Sequence, residues 1–319
     1  MNITKTLLNE LFKSFTARFN KGYNADPHPD DKEALRLADL AMDFSSSGAV
    51  TTYTWLGQLP AMRKWVGSRV YKTLNVGKVT VENDDYEGTV TVQRNAIEDD
   101  SFGVFADLVQ AMGVSARELW LELAVKALKG NAPWADGNPF FCSGRVLADD
   151  ITMTNAVTTA LSGSAVETAI ATMISWKLEE GRRAKVYPQR LVVAANLAAT
   201  ARRICDCEFV VAPGGGATES NPLRGKIKFS VCADLPDGAW YLLGDIAGIR
   251  AVAVQKRKEP TLTRKDDDTD DNVFDRNEYV YGTHARGAAF LTLPFLAYAG
   301  GMANVPAFDA TKVPTEAED

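Results

Sequence analysis

Within Tyr71 to Gly130, the spacing of the hydrophobic positions changes from a two-residue repeat to steps of three and four. In VGKVTVENDDYEGTVTVQR, the residues Val76, Val79, Val81, Val90 and Val92 interleave with Lys78, Thr80, Glu82, Thr89, Thr91 and Gln93. That repeat belongs to strands with one wetted face. The polar stretch between the two halves reads as a turn, so the expectation is a hairpin in which they pair with each other, within residues 72–98. At Glu98, Asp99, Asp100 and Ser101 the chain offers acceptors and negative charge to the free N–H groups of a helix start. Beyond it Phe105, Leu108, Val109, Met112, Ala116, Leu119, Trp120, Leu123 and Ala127 recur at helical spacing, and Gly130 can end the run. This predicts a helix of about seven turns with one buried side, its core set being Phe105, Leu108, Met112, Leu119, Trp120 and Leu123.

Residues 1–50 read as an N-terminal arm. Leu7, Leu8, Leu11, Phe12, Phe15 and Phe19 form an apolar helical stripe that Pro27 and Pro29 bring to an end. The arm is too short to fold alone, so its stripe must dock on the body or on a neighbour. Residues 51–71 and 99–140 fall to one domain on either side of the hairpin. Residues 141–245 then mix a helix near Ala165–Arg183, a strand at Arg190–Ala194, a helix at Leu197–Cys205 and strands near Lys226–Cys232 and Ala239–Leu243. This is the pattern of a compact α/β unit inserted into the first domain. In 246–302 alternation returns in IRAVAV, NEYVYG and AAFLTLPFLAYA, strands expected to rejoin the long helix, and 303–319 reads as a mobile tail. The fold class is α+β.

An isolated two-stranded ribbon is marginal in water, and its open edges invite pairing with another chain. The hairpin's expected partner is therefore a second molecule. With 319 residues, 46% hydrophobic and 24% charged, the chain has the composition of an ordinary globular protein with room for about two domains. No apolar run approaches the ~18 residues that cross a bilayer, and the N-terminus lacks a signal core. No membrane association is expected, and the chain is expected to stay in the cytosol in which it is made. A net charge of −6 argues against a nucleic-acid binder relying on phosphate neutralisation. Cys142, Cys205, Cys207 and Cys232 show no framework spacing and read as reduced, inert thiols.

Candidate chemistry is sparse, and no catalytic, cofactor or metal site is assigned. The acidic run Asp266 to Asp271 could attract a hard cation, but a calcium loop needs glycine and glutamate where Asp271 and Asn277 stand. A solvated loop paired with nearby Lys256, Arg257, Lys258, Arg264 or Lys265 is the plainer reading. Gly214, Gly215 and Gly216 lack the Gly-Lys-Ser/Thr sequel of a phosphate loop. His28 and His284 have no serine or cysteine close by in sequence, and Cys205-Asp206-Cys207 lacks a second thiol pair at zinc spacing. Trp55, Trp65, Trp120 and Trp134 suit cores and subunit interfaces better than base stacking. A lysine–asparagine cross-link would draw on Lys72 or Lys78 with Asn75, Asn83 or Asn95, and the family resemblance given next does not imply one.

Three long segments, YTWLGQLPAMRKWVGSR, YEGTVTVQRNAIEDDSFGVFADLVQAMG and KRKEPTLTRKDDDTDDNVFDRNEYVYGTHARGAA, resemble the major head subunits of Mu-like bacteriophages and prophages, in the same order and over most of the chain. The resemblance implies the Hong Kong 97-type capsid fold. Its peripheral domain would hold the long spine helix, 141–245 would be the axial domain, and an extended hairpin would lie over a neighbouring subunit. It also implies a structural, non-enzymatic protein. This would self-assemble as pentamers and hexamers into an icosahedral shell around double-stranded DNA, with scaffold, portal and decoration partners, in the host cytoplasm. The interface residues expected on this reading are Val76, Lys78, Val79, Val81, Val90, Val92, Phe12 and Phe15. The alternatives are an encapsulin-like nanocompartment shell and a small-molecule enzyme using the inserted domain.

Overall fold

The computed structural model describes residues 5–56, 76–98, 102–148, 151–177, 183–211, 218–246, 248–267 and 269–313. In chain order its elements begin with helix α1 (Lys5–Asn24), the single turn α2 (Leu37–Leu40), strands β1 (Ala41–Ser45), β2 (Val50–Leu56), β3 (Val76–Glu82) and β4 (Asp84–Gln93), then α3 (Arg94–Glu98) and the long α4 (Phe102–Gly130). There follow β5 (Arg145–Ala148), β6 (Ile151–Met153), α5 (Gly163–Ser175), β7 (Tyr187–Ala194), α6 (Ala198–Cys205), β8 (Phe209–Val211), β9 (Thr218–Ser220), β10 (Lys228–Cys232) and β11 (Trp240–Ile246). Next come β12 (Ile249–Arg250), β13 (Val252–Lys265), α7 (Asp271–Arg276), β14 (Glu278–Leu291) and β15 (Ala297–Gly300).

One sheet, in the order β1-β13-β14-β4, lies against α4, and a second, β10-β7-β11-β12 with β15 also on β11, forms the inserted unit. Between α4 and the first sheet, Trp120 and Leu128 are fully enclosed with Val252 and Val254. The α1 stripe reads correctly: Leu8, Leu11, Phe15 and Phe19 are buried, and Phe15 meets Tyr281 edge-on at 5.1 Å. α1 crosses α4 at two glycines. A Cβ on Gly22 would collide with the carbonyl of Gln110, and one on Gly113 with that of Phe19. Only glycine lets the two backbones approach this closely.

Several expectations are corrected. β3 and β4 do not pair with each other: β3 pairs antiparallel with β2, from Val50↔Glu82 to Leu56↔Val76, and β4 pairs antiparallel with β14, from Glu278↔Gln93 to Gly287↔Asp84. Only Asn83 separates them, and its side chain is buried rather than capping a turn. The hairpin is therefore β2–β3, and the stretch 57–75 that joins its strands lies outside the described residues. β15, expected beside the long helix, instead pairs with β11 in the inserted unit, because Gly300 accommodates the face of Trp240 there. The tail is anchored as far as 313. Asp309 N donates to Asn138 Oδ1 at 2.8 Å, Asn138 Nδ2 donates back to the Asp309 carbonyl, and Ser143 N donates to the Pro306 carbonyl. The end of the helix expected at Ala165–Arg183 is shorter, at Ser175.

On α4 the core set is rotated from its expected position. Ala106, Val109, Ala116, Trp120 and Leu123 are buried, whereas Leu108 is 44% exposed and Phe105, Met112 and Leu119 are half-buried. The helix has a second apolar stripe beside the buried one.

Candidate assembly surface

The β2–β3 ribbon stands on a buried polar base. Tyr53 Oη donates to Gln255 Oε1 at 2.6 Å, and Gln255 Nε2 donates to Asn83 Oδ1 at 2.7 Å. Asn83 Nδ2 in turn donates to the carbonyls of Gly48 (2.9 Å) and Ala49 (3.2 Å). Gln255 and Asn83 are fully enclosed, so their amides fix where the chain leaves the sheet. Around this network Val81, Val79 and Tyr53 pack on Phe44, Ala253, Ala288 and Phe290, with Tyr53 stacked on Phe290 at 4.8 Å. These residues lie on the face of the first sheet opposite α4, since they alternate with Val252, Val254 and Leu291, which face the main core.

This geometry redistributes the expected interface residues. Val81, Val92 and Phe15 are buried in the chain's own core, so they are not free surface, and Val79 and Val90 are half-buried against the same clusters. Phe12 is partly covered, with the guanidinium of Arg264 over its ring at 4.6 Å. Lys78 is exposed on the ribbon, and the side chain of Val76 lies outside the described residues. The residues that protrude are others. Phe274, on the α7 turn between β13 and β14, is 85% exposed, and Phe209 and Val211 on the β8–β9 finger are 61% and 70% exposed. Sequence reading passed over them because a lone phenylalanine in an acidic loop or beside a glycine run breaks no periodic pattern. The usable signal is a large apolar residue where no strand or helix face can bury it.

Among the described residues the two histidines and the four cysteines are held apart in separate parts of the fold. A cleft of about 650 Å³ opens between the end of α1, α4 and β1, and no serine, cysteine or threonine is among the described residues that line it. Several of its polar groups are engaged in structure: Lys256 pairs with Asp43 at 3.0 Å and Arg36 with Asp26 at 2.8 Å, while Tyr23 receives Trp120 Nε1–H and donates to Glu259. Burial pushes the Cys142 thiol up to about 11 and, with the neighbouring Asp206 carboxylate, Cys205 to about 12, away from thiolate reactivity. No cluster of metal-ligating residues occurs among the described residues.

The acidic run is a structural junction. Asp266 is buried beside Arg264 (3.4 Å) and receives the Tyr281 hydroxyl, and burial raises its carboxyl above the usual range. Asp267 pairs with Lys5 at 3.0 Å and accepts from Thr269, which hold its carboxyl down to about 2. His284 lies between Asp85 (3.1 Å) and Lys258 (3.0 Å) on the surface. His28 donates its backbone N–H to Asp26. Trp134 donates to the Thr292 carbonyl and stacks with Arg145, and Asn95 accepts from Asn277. The cross-link candidates Lys72 and Asn75, the glycine cluster 214–216 and Trp65 lie outside the described residues, as do the Trp55 side chain and the candidate helix cap at 99–101. No described helix is long and apolar enough to cross a membrane.

A model of the Mu-like prophage major head subunit gpT matches residues 8–159, 151–235 and 228–304. The chain belongs to this family of head subunits. It is 26% identical over 291 residues to the major capsid protein of Escherichia phage Mu, covering 91% of this chain and 72% of that protein. It is 24% identical over 287 residues to the Mu-like prophage FluMu major head subunit of Haemophilus influenzae, covering 89% and 70%. Among solved structures, the procapsid of bacteriophage JBD30 superposes with a TM-score of 0.54 at 24% identity, over 97% of this chain and 78% of that one. The α+β fold of this head subunit is thus the Hong Kong 97-type capsid fold, built from the two sheets, the long α4 and the β2–β3 ribbon described above.

Proposed function

We propose that this head subunit, a structural capsid protein by family, closes into a shell around double-stranded DNA through its protruding parts, with no catalytic step of its own. The observation that carries the reading is the β2–β3 ribbon. It is anchored at its base by Asn83 and Gln255, yet among the described residues its two strands beyond that base pair only with each other. A two-stranded ribbon is stable only when its faces are covered, and a neighbouring copy supplies the cover. The β8–β9 finger and the α7 turn, with Phe209, Val211 and Phe274 exposed, are further contacts of the same kind. Repeated around local five- and six-fold axes, many modest contacts add up to a closed wall. Scaffold, portal and decoration partners belong to the same reading, as does assembly in the host cytoplasm.

Sedimentation velocity and negative-stain microscopy of the purified chain test it. The wild type is expected to give closed particles. Replacing residues 57–75 by a two-residue Asn-Gly turn is expected to leave a folded monomer melting within a few degrees of the wild type, and no particles. Closed particles from that variant would overturn the role given to the ribbon. Particles filled with protein instead of DNA in the host would favour a nanocompartment shell.

A further inference from the structure

We propose that the cavity between α2 and strands β7, β10 and β11, where Arg190, Lys226, Lys228 and Arg250 converge, is a binding site for a phosphate-class oxyanion. The site stands apart from the β2–β3 ribbon, and its case does not rest on the shell-forming reading. The cavity has a volume of about 380 Å³, well above the ~30 Å³ that one water takes up in the liquid, so a polyatomic anion fits.

The local sequence explains why cations gather there. Lys226 and Lys228 are exposed and alternate with the buried Ile227 and Phe229, so the two-residue period at the start of β10 turns both ammonium groups to one side. In the parallel pairing of β10 with β7, Lys228 stands directly beside Arg190, whose Nη1 donates to Ser230 of the same strand at 2.8 Å. Like charges so placed on neighbouring strands destabilise the sheet unless something negative lies between them.

The cavity does not supply that negative charge. Two carboxylates line it, and both are engaged: Asp39 pairs with Arg190 at 2.5 Å, and Asp245 accepts from Gln189 Nε2 at 2.9 Å. Arg250 donates to the carbonyls of Ala38 and Ala41, which carry no charge to offset its own. Lys226 and Lys228 have no partner among the described residues. Four cations against two carboxylates leave the cavity positive in a chain of net charge −6. Burial, first of all, holds the Arg190 guanidinium below its ordinary value; Asp39 acts against this, and the like charges of Arg250 and Arg36 act with it. Guanidinium and ammonium groups converging from separate elements suit an anion with several acceptor oxygens and more than one charge. A single carboxylate side chain would leave part of the excess standing.

The test is calorimetric titration of the full chain with pyrophosphate and with inorganic phosphate, at an ionic strength held at ~0.1 M and without divalent cations. Pyrophosphate is expected to bind saturably with a Kd of about 1 mM or tighter, and about tenfold more weakly to Lys226→Gln/Lys228→Gln. Because both lysines are exposed and unpartnered, that variant should fold. Without ligand it should melt about a degree or two higher than the wild type, since the repulsion between Lys228 and Arg190 is gone. Lys265→Gln/Lys312→Gln makes the same change of charge outside the cavity and is expected to bind as the wild type does. Absence of saturable binding, or an equal loss from both pairs of substitutions, would overturn the site. A ligand-free melting temperature of Lys226→Gln/Lys228→Gln below that of the wild type would show the lysines already compensated and would overturn it too. Competition with a short mixed-sequence DNA duplex separates the sources of the oxyanion. Displacement of pyrophosphate by the duplex, lost in the cavity variant, assigns the site to a nucleic-acid backbone, and pyrophosphate binding undisturbed by the duplex assigns it to a free polyphosphate.

Discussion

Two antiparallel pairs, β13–β14 and β2–β3, show how one kind of element can serve the fold or the assembly. β13–β14 lies between β1 and β4 in the first sheet, with α4 against one face, and its Tyr279 and Tyr281 are fully enclosed with the α1 phenylalanines. Among the described residues β2–β3 has no third strand, and the cover they show is at the base, where Val81 and Tyr53 meet Ala288 and Phe290. The pairs differ in strand number and length, 14 residues each with a flanking strand against seven each without, but neither difference by itself decides between fold and assembly. What does is whether another element of the same chain lies over the apolar side. The same contrast divides α4 lengthwise, since its Val109–Trp120 side is sealed by α1 and the sheet while Leu108, Met112 and Leu119 are left partly open.

The contrast is broken most severely at Trp120, 1% exposed, whose ring lies against Gly287 and under the Lys256 ammonium. Trp120→Asp is expected to abolish cooperative folding, since an unpaired charge there costs several kcal/mol on top of the lost packing. Leu108→Asp, on the open stripe of the same helix, is expected to express as folded protein with a melting temperature near that of the wild type, and to assemble poorly. Equal loss of folding from both substitutions, measured by thermal melts, would mean that α4 does not have two distinct sides.

α4, α1, β7 and β10 could be read from the sequence because each is a periodic run that meets its partner inside the chain, whereas only the start of β13 was legible in IRAVAV, and the single strand β14 was read as two, NEYVYG and AAFLTL. Strand pairing could not be read. Asn83-Asp84-Asp85 looks like turn chemistry, but Asn83 is there to satisfy two carbonyls and Gln255 across a buried junction, and the partner strands are distant in sequence, β14 most of all. The composition of a strand shows that it will pair, not with what. The breadth of the apolar face on α4 was legible and was taken as one core. A helix already packed by α1 and the sheet has no room for a third buried row, so Leu108 and its neighbours turn outward. The tail was misjudged for the opposite reason: a polar sequence was taken as mobile, yet Asn138 and Asp309 hold it by reciprocal hydrogen bonds.

A smaller effect is expected from Gln255→Leu, which sharpens the difference between the two pairs at their shared boundary. The substitution keeps the volume and removes the amide, leaving the buried Asn83 oxygen without its 2.7 Å donor. The expected loss is about 1–3 kcal/mol in urea unfolding. Hydrogen exchange should accelerate in 76–82 far more than in 278–291, because the second strand keeps partners on both sides. Uniform acceleration in both strands would show that the ribbon base is simply part of the sheet.

The smallest effect is expected at the far end of β13, where Lys5 of α1 meets Asp267. Here the folded-state carboxyl is held down to about 2 by Lys5 and Thr269, below the ~3.9 of an unfolded aspartate. A depressed carboxyl contributes stability that is fully present above about pH 4 and is lost as pH falls through about 2. Asp266, raised by burial, works in the opposite sense, but its change falls above about pH 4 and leaves the lower window to Asp267. Comparing Asp267→Asn with wild type in urea, the gap is expected to be constant from pH 7 to about 5, to close between about 4 and 2, and to shrink in ~1 M salt, because the pair is open to solvent. A gap that persisted at pH 2 would assign its origin to something other than the carboxylate's charge, and would remove the charge of Lys5 from the account of how α1 is held.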